Sequence, residues 1–377
     1  MEVHGFADEG FGPVADAFRS NFELSGDVGA NVALYRDGRP VVDLWAGLAD
    51  PGTGRPWVEE TVVGVFSCSK GAMATLVNLL IQDGSVDPDQ PVARYWPDFA
   101  AAGKQDITVR QVLSHQAGLA AIDGRFTLEE ALSWDPVVAA LASAAPQWEP
   151  GSRHGYHMRS FGWLTGELVR RVAGQPPETV LRSRVVEPLG LSLWLGMPEQ
   201  EQSRCATLLP PGPSGIDLAQ LFGPDSLQAR VATGPSGLFR YDEMWNSARI
   251  RSAVIPSSGM ITDGRSLARM YASCVSEVGG RRLLDRDTAA RAAATQAEGP
   301  DEILTIPTAF GLGYMVGPSL PPACGAGSFG HGGAGGSLGF ADPVARIGFG
   351  YAMNRMRLDL DDTRAADLAA AVYRSLG

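Results

Sequence analysis

Lysine is almost missing from this 377-residue chain: only Lys70 and Lys104 occur, beside 29 arginines. Basic residues total 31 against 42 acidic ones, a formal net charge of −11. The basic face that phosphate contacts require is therefore lacking, which excludes a nucleic-acid partner. Histidine is scarce too, at 5, and the 4 cysteines, Cys68, Cys205, Cys274 and Cys324, form no CxxC pair. That spacing points to free, buried thiols and to no metal or redox cofactor. No apolar run approaches the roughly 18 residues of a membrane span, and the longest candidate, Ala74 to Ile81, holds Asn78. The opening Met1-Glu2-Val3-His4-Gly5 has neither the basic nor the apolar region of a secretory signal, so a cytoplasmic protein with no membrane partner is expected.

What is present is an ordinary core-forming composition, 45% hydrophobic and 19% charged. Gly12 to Leu24 has the spacing of an amphipathic helix, and a hairpin follows in which Asp37-Gly38 supplies a tight turn between Asn31–Tyr35 and Pro40–Trp45. Near the other end Leu338 and Phe340, then Ile347, Phe349, Tyr351 and Met353, alternate with small residues and predict strands with one bulky face. A helix is predicted from Thr363 to Leu376. Between these ends the chain reads as mainly helical, with Ile107–Leu113, Leu128–Leu141, Phe161–Val172 and Ser266–Cys274 the clearer segments. The expectation is an α/β (α+β) fold: one antiparallel sheet closed by both termini, flanked by helices, with a helical lobe inserted. Residues 1–66 plus 275–377 would form the sheet lobe and 67–274 the helical lobe, the active site lying between them. The loop-rich segment 198–258 is expected to roof that site.

Two glycine motifs mislead. Gly325-Ala326-Gly327-Ser328-Phe329-Gly330 fits GxGxxG but is followed by strand-like sequence instead of a helix. Gly335-Gly336-Ser337-Leu338-Gly339 fits the nucleophile elbow GxSxG, yet no His follows His331 to complete that triad. The informative motif is Ser67-Cys68-Ser69-Lys70, an SxxK tetrad opening a helix that is apolar nearly all round. Ser67 and Lys70, three apart, share one helix face. A lysine there suffers burial and the positive end of the helix dipole, in a chain that uses Arg almost everywhere else. Only lysine can lose its proton near neutral pH and serve as a base. The plain alternative is Ser67 as a helix cap with Lys70 reaching outward.

A nucleophilic serine also needs a proton path and an oxyanion site. The turn-rich stretch Trp148 to Met158 offers the Tyr156 hydroxyl, although a lone tyrosine is equally at home in a core. The strand-like Phe329 to Gly336, with His331-Gly332-Gly333, offers backbone stripped of side chains, where a substrate carbonyl can approach or the chain can merely bend.

Together, SxxK at 67–70, the Tyr156 segment and His331-Gly332-Gly333 resemble the serine β-lactamase and penicillin-binding-protein superfamily, above all the class C-related family VIII carboxylesterases. Further segments in family order are Asp83-Gly84-Ser85-Val86-Asp87, Leu113-Ser114-His115-Gln116-Ala117-Gly118-Leu119 and Gly335 through Pro343, so the likeness spans nearly the whole chain. The resemblance implies an acyl-enzyme on Ser67, with Lys70 and Tyr156 sharing its proton and either of them the base. By family register the oxyanion hole is the backbone N–H groups of Ser67 and Ala334.

Departures narrow the substrate. Such β-lactamases usually carry Tyr-x-Asn and Lys-Thr-Gly, whereas here Met158 replaces the Asn and His331 the Lys. Met158 offers no amide, and His331 is a weak carboxylate anchor. Met158, His331, Gly332 and Gly333 are the expected substrate-binding residues. The expected activity is a serine carboxylesterase acting on short- to medium-chain esters of small molecules, without cofactor or metal. An acyltransferase, an amidase or weak β-lactamase, and an inactive binding or sensor protein are the alternatives.

Overall fold

The computed structural model describes residues 1–212, 218–359 and 361–377. Among the described residues the main sheet is built on nine strands, β1 (Val3–Ala7), β2 (Gly29–Arg36), β3 (Arg39–Asp50), β4 (Ala297–Pro300), β5 (Pro307–Phe310), β6 (Met315–Val316), β7 (Phe329–Gly332), β8 (Leu338–Asp342) and β9 (Ile347–Met353), while Val63–Gly64, Met260–Thr262 and Leu193–Leu195 form a separate small sheet. The nine pair in the order β1-β3-β2-β9-β8-β7-β6-β5-β4, all antiparallel, and a short strand at Arg55–Pro56 adds to β3. The two ends of the chain meet where β2 pairs with β9, Val32 opposite Tyr351. Asp37 and Gly38, both at positive φ, make the tight β2–β3 turn. This is the mixed α/β architecture with a terminal-segment sheet that the sequence predicts.

Five longer helices organise the rest: α1 (Gly12–Glu23), α2 (Cys68–Gln82), α3 (Ser160–Ala173), α4 (Gly264–Val275) and α5 (Arg364–Leu376). Helices α1 and α5 cover one sheet face, burying Val14, Phe18, Leu368 and Val372 against Ile347, Phe349 and Tyr351. Helix α4 lies on the other face. There β9 is smooth because it has to be: a Cβ on Gly348 would stand 2.2 Å from the Ala272 nitrogen, and one on Gly350 2.1 Å from the Gly264 carbonyl. Every residue of α2 from Cys68 to Ile81 is buried. Among the described residues no helix is long and apolar enough to cross a membrane.

Two segment readings need correction. Leu128–Leu141 is two helices, Leu128–Leu132 and Asp135–Ser143, broken where Trp134 turns to a φ of 72° ahead of Pro136. The strand beginning at Phe329 stops at Gly332, because Gly335 and Gly336 take positive φ and turn the chain back into β8. The stretch 198–258 holds short helical turns, including Leu218–Phe222 and Leu227–Thr233, and its residues 213–217 lie outside the described residues.

Candidate active site

Ser67 sits immediately before α2, one residue after Phe66, whose φ of 45° is unusual for a side chain of that size. The Phe66 ring packs edge-on against Tyr241 and Trp245, with centroids 5.3 and 4.9 Å away, and this contact offsets the backbone strain. The Ser67 side chain makes no capping hydrogen bond to α2, so its hydroxyl is free for another partner. That partner is the Lys70 amine, whose Nζ lies 3.1 Å from the Ser67 Oγ. The first N–H groups of α2 go to the backbone carbonyls of Val65, Phe66 and Ser67, and the Ser69 hydroxyl donates to the Phe66 carbonyl at 2.5 Å and accepts from the Met260 N–H at 3.1 Å.

Lys70 is fully buried, and it also donates to the carbonyls of Met158 at 2.8 Å and Ser257 at 3.1 Å. Burial holds its proton affinity well below the ordinary lysine value, and the Arg159 charge acts in the same direction. A neutral amine has two N–H donors and one lone pair. The two carbonyls can only accept, so they take both donors and leave the lone pair facing the Ser67 hydroxyl.

Tyr156 stands just before α3, 4% exposed, with its ring centroid 4.8 Å from the Lys70 Nζ. Burial pushes its phenol up, while a hydrogen bond with the Ser67 hydroxyl and the Arg159 charge pull it back. The ring lies flat on Phe310 and touches His115 and His331. Its backbone N–H is gripped by both Asp301 oxygens, at 3.0 and 3.1 Å.

The remaining expected residues take more varied places. Met158 contributes its carbonyl to Lys70, and its side chain joins Ala120, Ala121, Val231 and Ile303 in an apolar wall beside Tyr156. His331 is fully buried on β7, and its Nδ1 donates to the Gly332 carbonyl at 2.7 Å, which leaves Nε2 as a buried acceptor with no partner among the described residues. Burial holds its pKa near 3, so the ring is neutral. Gly332 faces open space, since an added Cβ would meet nothing closer than 3.9 Å. Gly333 is glycine for the chain's own packing: a Cβ there would lie 2.2 Å from the Val65 carbonyl.

Beyond Gly333 the turn is pinned. The Ser337 hydroxyl donates to the Val65 carbonyl at 3.1 Å, and Arg364 donates to the Gly335 carbonyl at 2.7 Å. Ser337, the apparent elbow serine, is thus a tether between β8 and the approach to Ser67. Ala334 directly follows Gly333, whose backbone abuts the Val65 carbonyl two residues ahead of Ser67. Among the described residues neither the Ser67 nor the Ala334 N–H finds an acceptor, as an oxyanion site requires.

Four of the chain's histidines, His115, His154, His157 and His331, gather here. His115 accepts the His157 N–H through Nδ1, His157 accepts the Leu119 N–H through Nε2, and His154 pairs with Thr308. Each is held below the ordinary histidine value mainly by burial. Among the described residues no group of three or more His, Cys, Asp or Glu is placed to hold a metal ion. Sequence reasoning missed Asp301, Ser257 and Arg159. Two of them act largely through backbone groups, and none belongs to a motif.

A family model described as Beta-lactamase matches residues 18–374. The esterase/beta-lactamase LipL of Mycobacterium tuberculosis is 35% identical over 369 residues, covering 94% of this chain and 83% of that one. The crystal structure of a family VIII carboxylesterase superposes with a TM-score of 0.91 at 34% identity, covering 100% of both chains. EstA from Arthrobacter nitroguajacolicus superposes with a TM-score of 0.90 at 33% identity, covering 100% of this chain and 99% of that one.

Proposed function

The chain belongs to the beta-lactamase family, and from that premise we propose that it is a serine carboxylesterase that hydrolyses short- to medium-chain esters through an acyl-enzyme on Ser67. Relatives and structural neighbours named as esterases or carboxylesterases support ester hydrolysis in general. The observation that carries the finer reading is the fully buried Lys70 amine, 3.1 Å from the Ser67 Oγ and held in place by the carbonyls of Met158 and Ser257.

The mechanism follows from the donors and acceptors. Ser67 Oγ attacks the ester carbonyl while its proton passes to the Lys70 Nζ, with the Tyr156 phenol beside both. The oxygen of the carbonyl gains negative charge between the unoccupied N–H groups of Ser67 and Ala334, where losing one donor costs about 10² to 10³ in turnover. The tetrahedral adduct then collapses. Its alkoxy oxygen leaves with a proton from the Lys70–Tyr156 pair, leaving the acyl group on Ser67. Water attacks that ester, gives its proton to the same pair, and Ser67 recovers its own as the acid departs. The apolar wall of Met158, Val231 and Ile303 suits a hydrocarbon acyl group, and the neutral His331 gives a substrate carboxylate no charge to pair with.

The test is hydrolysis of p-nitrophenyl acetate, butyrate and octanoate beside nitrocefin, with wild type and Ser67→Ala in parallel. Ester turnover lost in the variant, with little nitrocefin cleavage, is the expected outcome. A folded wild type inert on all three esters would refute the reading.

A further inference from the structure

Arg159 is a buried cation without a counter-charge. It is 1% exposed, and among the described residues its guanidinium donates only to the Ser258 hydroxyl at 2.6 Å and to the carbonyls of Phe239 and Ala232, at 3.2 and 3.4 Å. Among the described residues its Nε has no partner and no carboxylate pairs with it. The rings of Phe239, Tyr241 and Trp245 surround it, their centroids 5.9, 5.3 and 5.5 Å from the guanidinium carbon. Aromatic faces soften the cost of burying a cation but do not cancel its charge, and arginine does not shed its proton. The chain's other fully buried arginine, Arg364, is paired with Asp27 and Asp362.

Its position explains what stability does not. Arg159 follows Met158, whose carbonyl accepts from the Lys70 amine, and it anchors on Ser258, which follows Ser257, whose carbonyl accepts from the same amine. The Ser257 hydroxyl also donates to the Arg159 carbonyl at 2.7 Å. The guanidinium is therefore built into the two strands of backbone that cradle Lys70.

The other groups facing that amine carry no charge to oppose it. Cys68, from α2 itself, is a thiol that burial pushes up to about 12. Tyr156 stays a phenol, and His115, His157 and His331, reaching in from three other segments, are neutral imidazoles. Asp301 faces the Tyr156 backbone and His157.

We propose that Arg159 is a positioning residue: its permanent charge, held in a cage of three rings, keeps the Lys70 amine unprotonated and so able to take the Ser67 proton at neutral pH. A second positive charge near a fixed one in a poorly screened interior is disfavoured, and this adds to the burial that already lowers the amine's proton affinity. The inference rests on Ser67 and Lys70 acting as nucleophile and base.

The test is the rate at which a fluorophosphonate probe labels Ser67, measured from pH 5.5 to 9.5, which reads the nucleophile without requiring ester turnover. Arg159→Met removes the charge and the hydrogen bonds, whereas Arg159→Gln removes the charge and keeps donors. Both are expected to move the acidic limb upward by at least about one pH unit, a loss of about tenfold at pH 6.5 that closes by pH 9. Ser258→Asp, which leaves Arg159 in place and gives it a carboxylate, is expected to move the limb in the same direction and carries the test should the Arg159 variants not fold. An unmoved limb in folded variants overturns the inference. So does a wild-type limb in Arg159→Gln beside a rate lowered at every pH in Arg159→Met, which would assign the residue to hydrogen bonding. Wild type that is not labelled at all refutes the acyl-enzyme reading instead, and so separates the two failures.

Discussion

The Asp301 carboxylate holds Tyr156 by its backbone, accepting one N–H through both oxygens at 3.0 and 3.1 Å. The same carboxylate accepts from the N–H groups of Ile303 and Leu304 and from the Thr308 hydroxyl. Asp301→Asn turns one acceptor into a donor facing donors. Turnover should fall by about 10- to 100-fold with KM little changed, because a misplaced phenol costs rate before binding. Stability should fall by about 1–3 kcal/mol. Steady-state kinetics with a denaturant titration checks both, and a rate loss no larger than the unfolded fraction would show that Asp301 only stabilises the hairpin.

The two lysines form a natural control. Lys104 is buried like Lys70 but donates to three carbonyls, those of Ala101, Ala142 and Ala144, as a full ammonium can. Lys70→Arg should reduce turnover by about 10³-fold or more, since a guanidinium cannot act as a base. Lys104→Arg should cost stability and leave kcat of the folded fraction unchanged. Near-normal activity in Lys70→Arg would contradict the neutral-amine assignment.

Helix α2 touches α4 at a point with no slack. A Cβ on Gly71 would lie 2.0 Å from the Tyr271 hydroxyl, which is buried and has no hydrogen-bond partner among the described residues. Gly71→Ala should destabilise by about 1–3 kcal/mol through overpacking. Tyr271→Phe alone should be neutral or stabilising, because it removes an unpaired polar atom. The double variant should recover about 1 kcal/mol or more relative to the sum of the singles. Additive effects in urea unfolding would mean that the helices part freely.

Acid should loosen the protein through its site. His157 and His331 are held near pKa 4 and 3, and His115 also lies well below the ordinary value, mainly through burial. Unfolded, each takes a proton near pH 6.5. Their contribution to stability is complete above that value and is lost as pH falls toward the folded pKa, because the unfolded chain then binds protons that the fold refuses. The slope is about 1.4 kcal/mol per pH unit for each histidine. Urea midpoints between pH 7 and 5 should fall accordingly, and His331→Phe should flatten the dependence by about one histidine's share. An unchanged slope would show that His331 gains its proton in the folded state.

Much of this was legible in the sequence where function clusters along the chain. Ser67 and Lys70 stand out because one helical turn brings them together in an apolar segment, and the β8–β9 alternation exposes its smooth face. Legibility fails where a backbone atom does the work. The carbonyls of Met158 and Ser257 hold Lys70, yet any residue has a carbonyl, so neither position leaves a signature. Asp301 acts across 145 residues on a backbone N–H. Trp134 breaks a helix that its hydrophobic spacing continues, since periodicity reports the buried face and says little about a residue forced to positive φ.

The cradle of Lys70 is drawn from carbonyls 88 and 187 residues further along the chain. In the unfolded chain, without those segments, Lys70 is an ordinary solvated ammonium and Ser67 an ordinary alcohol. The Ser67–Lys70 pairing is thus a property of the finished tertiary structure, so labelling of Ser67 by a fluorophosphonate should track the folded fraction in a urea titration and vanish with it.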